Sequence, residues 1–163
     1  IQIEYSPLKL EEIDIQKLIT ESIQLYKGFA LKKRISIQII AKHSAYFYGD
    51  EGIIRLILRN LISNAIKFTP QKGKIQISYG KKNSSFYFSV ADTGIGISKK
   101  QLKNLLVQTH IEKNTRGTDG EGGSGIGLAL CKDFATRVNG TFSIKSLEKK
   151  GSTFTMTWEP NET

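Results

Sequence analysis

Residues 58–67 read Leu-Arg-Asn-Leu-Ile-Ser-Asn-Ala-Ile-Lys. Asn60, Asn64 and Lys67 stand at relative positions 0, 4 and 7. At about 3.6 residues per turn, those three share one face of an α-helix. Ile57, Leu58, Leu61, Ile62 and Ala65 cover the rest of its surface. The stretch therefore predicts a mostly apolar helix, set into a core, with a narrow stripe of two amides and one cation. Amide oxygens and an ammonium group suit a metal–phosphate pair. A single Asn on a helix is more often a local hydrogen-bonder or a solvated residue, so the stripe needs company before it carries a function.

Outward from that helix, Gly49-Asp50-Glu51 marks its start and Pro70 its stop. Upstream, residues 8–13 alternate and read as a short strand. Asp14 is placed to cap a helix over 15–32, where Leu18, Ile19, Ile23, Leu25, Tyr26 and Phe29 recur at helical spacing. Ile35, Ile37 and Ile39 alternate as a strand. Downstream, strands over 73–79 and 85–92 are joined by a hairpin loop at 80–83. Ser98 caps a short helix reaching about residue 107. Residues 108–124 form a long polar loop, a helix returns over 125–138, and strands follow over 141–147 and 152–158, with Gly151 at their turn. Helices and strands alternate, but two hairpins break a simple parallel order. The fold class is α+β: a two-layer sandwich with a mixed sheet of about five strands, a short N-terminal strand, and helices on one face.

The chain has 163 residues, with hydrophobic residues at 39% and charged residues at 24%, which suits one domain with a packed core. No apolar run approaches the roughly 20 residues of a membrane helix, and no signal pattern opens the chain. It begins at Ile1 without a Met and reads as a fragment of a longer protein. Cys131 is the only cysteine, so no internal disulfide forms, and a buried small hydrophobe in a reducing cytoplasm is the natural reading. The formal net charge of +9 is compatible with nucleic acid. The basic pairs are scattered over turns and element ends, however, and no stretch interleaves basic with aromatic residues. A solvated basic surface with a site for an anionic small molecule fits better.

Two further segments join the stripe. In residues 90–97, Val-Ala-Asp-Thr-Gly-Ile-Gly-Ile, a strand ends in Asp92 and runs into a turn with Gly94 and Gly96. A carboxylate only accepts hydrogen bonds, so it suits a ligand that offers an amine, such as the exocyclic amine of adenine. Glycines let backbone approach a flat ring closely. Taken alone, this is an ordinary Asp-Thr-Gly turn. In residues 120–130 glycines crowd the start of a helix, where free N–H groups and the helix dipole favour phosphate. No Gly-Lys-Ser/Thr follows, so this is not a P-loop. The strand and acidic residue of a dinucleotide fingerprint are also missing.

In this order the three segments resemble sensor histidine kinases. Asn60-Leu-Ile-Ser-Asn64-Ala-Ile-Lys67-Phe-Thr-Pro is similar to their N box, Asp92-Thr-Gly94-Ile-Gly96-Ile to their G1 box, and Gly123-Ser-Gly125-Ile-Gly127-Leu128-Ala-Leu to their G2 box. Gly151-Ser152-Thr-Phe resembles their closing strand. The likeness spans about residues 8–160 and implies a single catalytic domain of the Bergerat fold, over residues 1–163. It implies ATP and Mg²⁺ as ligands. Asn64 would coordinate Mg²⁺, with Asn60 beside it and Lys67 on phosphate. Asp92 would accept from adenine, Gly94 and Gly96 would shape the base pocket, and Ser152 would lie near an adenine-bound water. Gly123, Gly125, Gly127 and Leu128 would belong to the hinge and phosphate cradle of an ATP lid over residues 108–124, from which Lys113 and Arg116 would reach phosphate, Arg116 as a nucleotide-binding residue.

The family's lid is usually preceded by phenylalanines, and here Leu102-Lys-Asn-Leu105-Leu106-Val107 stands instead. The phosphoacceptor histidine is missing: His43 precedes Ser44 and His110 precedes Ile111, and both read as loop residues. The resemblance therefore implies transfer of the ATP γ-phosphate to a histidine on a separate dimerisation domain, and onward to a response-regulator receiver domain. The fragment would be monomeric and cytoplasmic, within a dimeric, membrane-anchored parent. An ATP-driven conformational switch, an anti-sigma-type serine kinase and a nucleotide-sensing module of the same fold are the rival readings. The amide at position 60 argues against the first.

Overall fold

The computed structural model describes residues 6–41, 46–107 and 127–159. The elements in chain order are β1 (Leu10–Asp14), α1 (Ile15–Lys32), β2 (Ser36–Ala41), β3 (Tyr46–Asp50), α2 (Glu51–Phe68), β4 (Lys74–Lys82), β5 (Ser85–Asp92), α3 (Lys99–Val107), α4 (Gly127–Arg137), β6 (Gly140–Leu147) and β7 (Gly151–Trp158). Five strands form one sheet in the order β2-β4-β5-β7-β6, and β1 pairs with β3 in a separate ribbon. Only β2 and β4 run parallel; the other pairings are antiparallel, so the sheet is mixed as the sequence predicts.

The helices cover one face of the sheet because each strand alternates. Ile75, Ile77, Phe88, Val90 and Met156 are fully buried, and their neighbours Gln76, Ser89 and Thr155 are not. Helix α2 lies at the centre of that layer, with Ile54, Ile57, Leu58, Leu61 and Ile62 all at 0% exposure. Each such side chain stabilises the fold by about 1.5–3 kcal/mol. So the polar stripe is fixed in space by the apolar majority of its own helix. The starts of the helices are chemically specified. The Asp14 carboxylate accepts from Lys17 N–H (3.0 Å) and the Asp50 carboxylate from Ile53 N–H (3.1 Å). Ser98 and Gln101 exchange backbone bonds in a capping box at α3.

Two sequence readings change. Residues 46–50, of which the sequence reading assigns only Gly49 and Asp50, to the start of the α2 helix, form strand β3. Its inward Phe47 stacks on Phe86 at 4.6 Å and meets Trp158 edge-on, while Trp158 Nε1 donates to the Tyr48 carbonyl. A Cβ on Gly49 would lie 3.0 Å from Ile54 and 3.2 Å from Trp158 Nε1, so the glycine that hides the strand pattern is the one that lets the ribbon dock. The hairpin expected at 80–83 is tighter. Lys82 pairs with Ser85, and Asn83 sits in the left-handed region (φ 57°), which Asn tolerates better than most residues.

Candidate nucleotide site

The stripe on α2 faces the start of α4. Asn60 Nδ2 donates to the Leu56 carbonyl one turn back (3.0 Å). Asn60 Oδ1 points at Gly127, where a Cβ would come within 2.6 Å of it. The N-box helix and the last glycine of the G2 segment thus meet directly, and a side chain at 127 would push α4 off the stripe. Asn64 is half-buried, and its carboxamide makes no hydrogen bond with the described residues. Lys67 lies in the last turn of α2, its Nζ 4.8 Å from the Phe68 ring centroid. A cation there also complements the helix dipole.

Asp92 closes β5 beside the start of β7. Its Oδ1 accepts from Gly94 N–H (2.8 Å) and from Ser152 N–H (3.2 Å). Its Oδ2 receives no bond from the described residues, which leaves one acceptor oxygen open to a ligand. Burial pushes the Asp92 carboxyl above its ordinary pKa, and the two backbone donors pull the other way.

The glycines around Asp92 make contacts the sequence reading does not anticipate. A Cβ on Gly94 would sit 2.5 Å from the Phe68 carbonyl oxygen, which accepts from Ile95 N–H at 3.1 Å. Gly96 (φ +67°) presses on Leu147, and a Cβ there would be 2.0 Å from the Leu147 carbonyl oxygen. Gly151 (φ +125°) presses equally close on the Asp92 carbonyl oxygen. These residues bring protein backbone against protein backbone, so the turn after Asp92 is wedged between the end of α2 and the β6–β7 hairpin. Replacing Gly151 by alanine should cost about 2 kcal/mol or more of stability, from both positive φ and overlap, read as a lowered thermal midpoint. An unchanged midpoint would show that the hairpin yields freely.

Ser152 is 7% exposed and reaches Asp92 through its backbone, while its hydroxyl lies 2.7 Å from Ser146 Oγ. Ser146 Oγ also accepts from Ile97 N–H (2.8 Å) and donates to the Gly151 carbonyl (3.1 Å). Ser146 thus ties the G1 turn to the closing strand, a role the sequence reading misses. The available signal is a hydroxyl on the inward phase of β6, in step with Phe142 and Ile144. Thr93 is missed as well: its Oγ1 accepts from Lys74 N–H and its N–H donates to the Lys74 carbonyl, which clamps the turn to β4.

The structure therefore brings Asn60 to Gly127, and Asp92, Gly94, Gly96 and Ser152 to one end of the sheet beside the end of α2. Leu128 packs on the core at the start of α4. Gly123, Gly125, Lys113 and Arg116, the lid over 108–124, and His43 and His110 lie outside the described residues. Among the described residues no group of three or more His, Cys, Asp or Glu could hold a metal. An ion bound here would rely on one amide oxygen from Asn64, on phosphate and on water, a donor set that suits Mg²⁺. Cys131 is fully buried and its thiol is pushed up to about 12 by burial, so it is inert, as expected.

The family model for histidine kinase-, DNA gyrase B-, and HSP90-like ATPases matches residues 49–162. The sensor-like histidine kinase SenX3 of Mycolicibacterium smegmatis is 33% identical over 149 residues, covering 90% of this chain and 38% of that protein. The phosphate regulon sensor protein PhoR of Pseudomonas aeruginosa is 35% identical over 124 residues, covering 76% of this chain and 28% of that protein. The catalytic domain of the histidine kinase ThkA superposes with a TM-score of 0.79 at 22% identity, covering 93% of this chain and 98% of that one. Full-length ShkA in complex with AMPPNP superposes at 0.77 with 26% identity, covering 95% of this chain and 32% of that one. The chain belongs to the histidine kinase-, DNA gyrase B-, and HSP90-like ATPase family, and the relatives and solved structures it resembles include sensor histidine kinases and their catalytic domains. It spans well under half the length of these curated relatives. No helix among the described residues is long and apolar enough to cross a membrane.

Proposed function

We propose that this domain binds Mg-ATP and hands the γ-phosphate to a histidine on a separate dimerisation domain of its parent chain, which then serves a response-regulator receiver domain. The observation that carries this reading is the open Oδ2 of Asp92, held by two backbone donors on its other oxygen, at the end of the sheet beside α2. The open oxygen accepts the adenine amine. Asn64 lends its amide oxygen to the Mg²⁺, which neutralises phosphate charge when bound, and Lys67 adds a point charge. Phosphoryl transfer then depends on positioning and charge neutralisation, because the attacking imidazole arrives with its own lone pair. Asn60 supports transfer over hydrolysis. Activating water needs a proton acceptor, and an amide is not one at neutral pH.

The test supplies the purified chain with γ-labelled ATP and the parent's dimerisation domain. Label should appear on that domain as an acid-labile phosphoramidate, and the chain alone should release phosphate slowly. Rapid hydrolysis with no labelled histidine would replace this reading with the ATP-driven switch.

A further inference from the structure

Lys33 follows the last residue of α1 and is 3% exposed, the only buried lysine among the described residues. A buried ammonium needs hydrogen-bond acceptors, and Lys33 Nζ finds at least two among the described residues. It donates to the carbonyls of Ile66 (2.8 Å) and Lys67 (3.2 Å), in the last turn of α2. The sequence explains why a donor is needed there. The Ile66 carbonyl would ordinarily accept from the N–H four residues on, and that residue is Pro70, which has none. Lys33 takes the place of that donor and puts a positive charge where the helix dipole favours one.

The backbone of Lys33 grips the same segment. Its carbonyl accepts from Lys72 N–H (2.9 Å), and Ser36 N–H donates to the Gly73 carbonyl (3.1 Å). The segment so held carries the Phe68 carbonyl, which accepts from Ile95 N–H (3.1 Å) and leaves room only for a glycine at 94. Gly94 N–H in turn donates to Asp92 Oδ1 (2.8 Å). A continuous path thus runs from the ammonium through the end of α2 and the 94–95 turn to the carboxylate.

We propose that Lys33, which does not belong to the ligand-facing stripe, is a positioning residue for the adenine base. It fixes the end of α2, the Phe68 carbonyl fixes the turn, and the turn aims the open oxygen of Asp92. This role rests on the ATP reading above. Because Asp92 reads the base and not the phosphates, losing Lys33 should erode base discrimination, which a purely stabilising lysine would leave intact.

The experiment compares the unmodified chain with Lys33→Met, which keeps the stem and removes the donors, and Lys33→Arg, which restores donors and charge. ATP and GTP are titrated by calorimetry at a temperature where circular dichroism shows each variant folded. The ATP-over-GTP preference should fall about tenfold in Lys33→Met and recover in Lys33→Arg. Should Lys33→Met fail to fold, ATP saturation of the unmodified chain must still shift the NMR signal of the Lys33 ammonium, since coupling is reciprocal. An unmoved signal overturns the proposal, as does a folded Lys33→Met variant with unchanged preference. If the unmodified chain binds no ATP, the functional reading falls first and takes this role with it.

Discussion

Replacing Asp92 by asparagine is expected to weaken ATP binding about 100-fold or more and to leave the fold as stable as before or slightly more so. Both expectations follow from the division of labour between its two oxygens. Oδ1 accepts from Gly94 and Ser152, and the amide oxygen of asparagine can accept both bonds equally well. Oδ2 is the open acceptor, and asparagine would put an NH₂ donor in its place. A donor facing the adenine amine leaves both groups unpaired in a half-buried site. The stability expectation comes from linkage. Burial raises the carboxyl pKa in the folded state, so the ionised form is less favourable folded than unfolded. The group's stabilising contribution is present below its unfolded pKa and is lost as pH rises through the raised folded value, which leaves a cost at neutral pH that asparagine does not carry. Calorimetric titration with ATP and thermal unfolding check the two halves. Wild-type affinity would remove Asp92 from the site, and a collapsed midpoint would make its role structural. By the same sign, ATP affinity of the unmodified chain should decline on acidification, beginning at a higher pH than for an ordinary carboxylate.

What the sequence makes legible of the candidate site is the part carried by periodicity and by residue chemistry. Asn60, Asn64 and Lys67 declared themselves because helical spacing puts them on one face and their neighbours are apolar. Asp92 did so because a strand of alternating residues ends there in a carboxylate followed by glycines. Less legible was what each glycine is for. Sequence suggests that Gly94 and Gly96 admit a ligand, whereas the contacts they make are with the Phe68 and Leu147 carbonyls. A glycine reports that something approaches closely, not what approaches. Strand β3 was hidden for a related reason: a five-residue strand with Gly49 in it has too few alternating positions to show a period. Ser146 and Lys33 leave little trace in the sequence because the partner that gives each its role lies far along the chain; for Ser146 that partner is Ile97, 49 residues away. Lys33 reaches carbonyls 33 and 34 residues away, and pairings of that kind are set by the fold and leave no local pattern.

Replacing Asn64 by alanine or aspartate is expected to reduce Mg-ATP-dependent phosphorylation of the acceptor domain about 100- to 1,000-fold. Alanine removes the only protein oxygen the stripe offers to a metal beside Asn60, whose own amide hydrogen is spent on Leu56 and whose oxygen abuts Gly127. Aspartate keeps an oxygen but adds a negative charge next to a triphosphate, which works against holding the γ-phosphate in line. Neither change should unfold the domain. Asn64 is half-buried and makes no hydrogen bond with the described residues, and alanine is the better helix former by up to about 0.7 kcal/mol. The alanine variant should therefore match or exceed the parent in thermal midpoint. It should also bind Mg²⁺-free ADP as before, because Asp92 is untouched, and the Mg²⁺ dependence of its ATP affinity should disappear. That pattern separates a lost metal ligand from a damaged fold, since damage would weaken ADP binding too. Transfer at the parent's rate by the alanine variant would take Asn64, and with it the metal, out of the stripe.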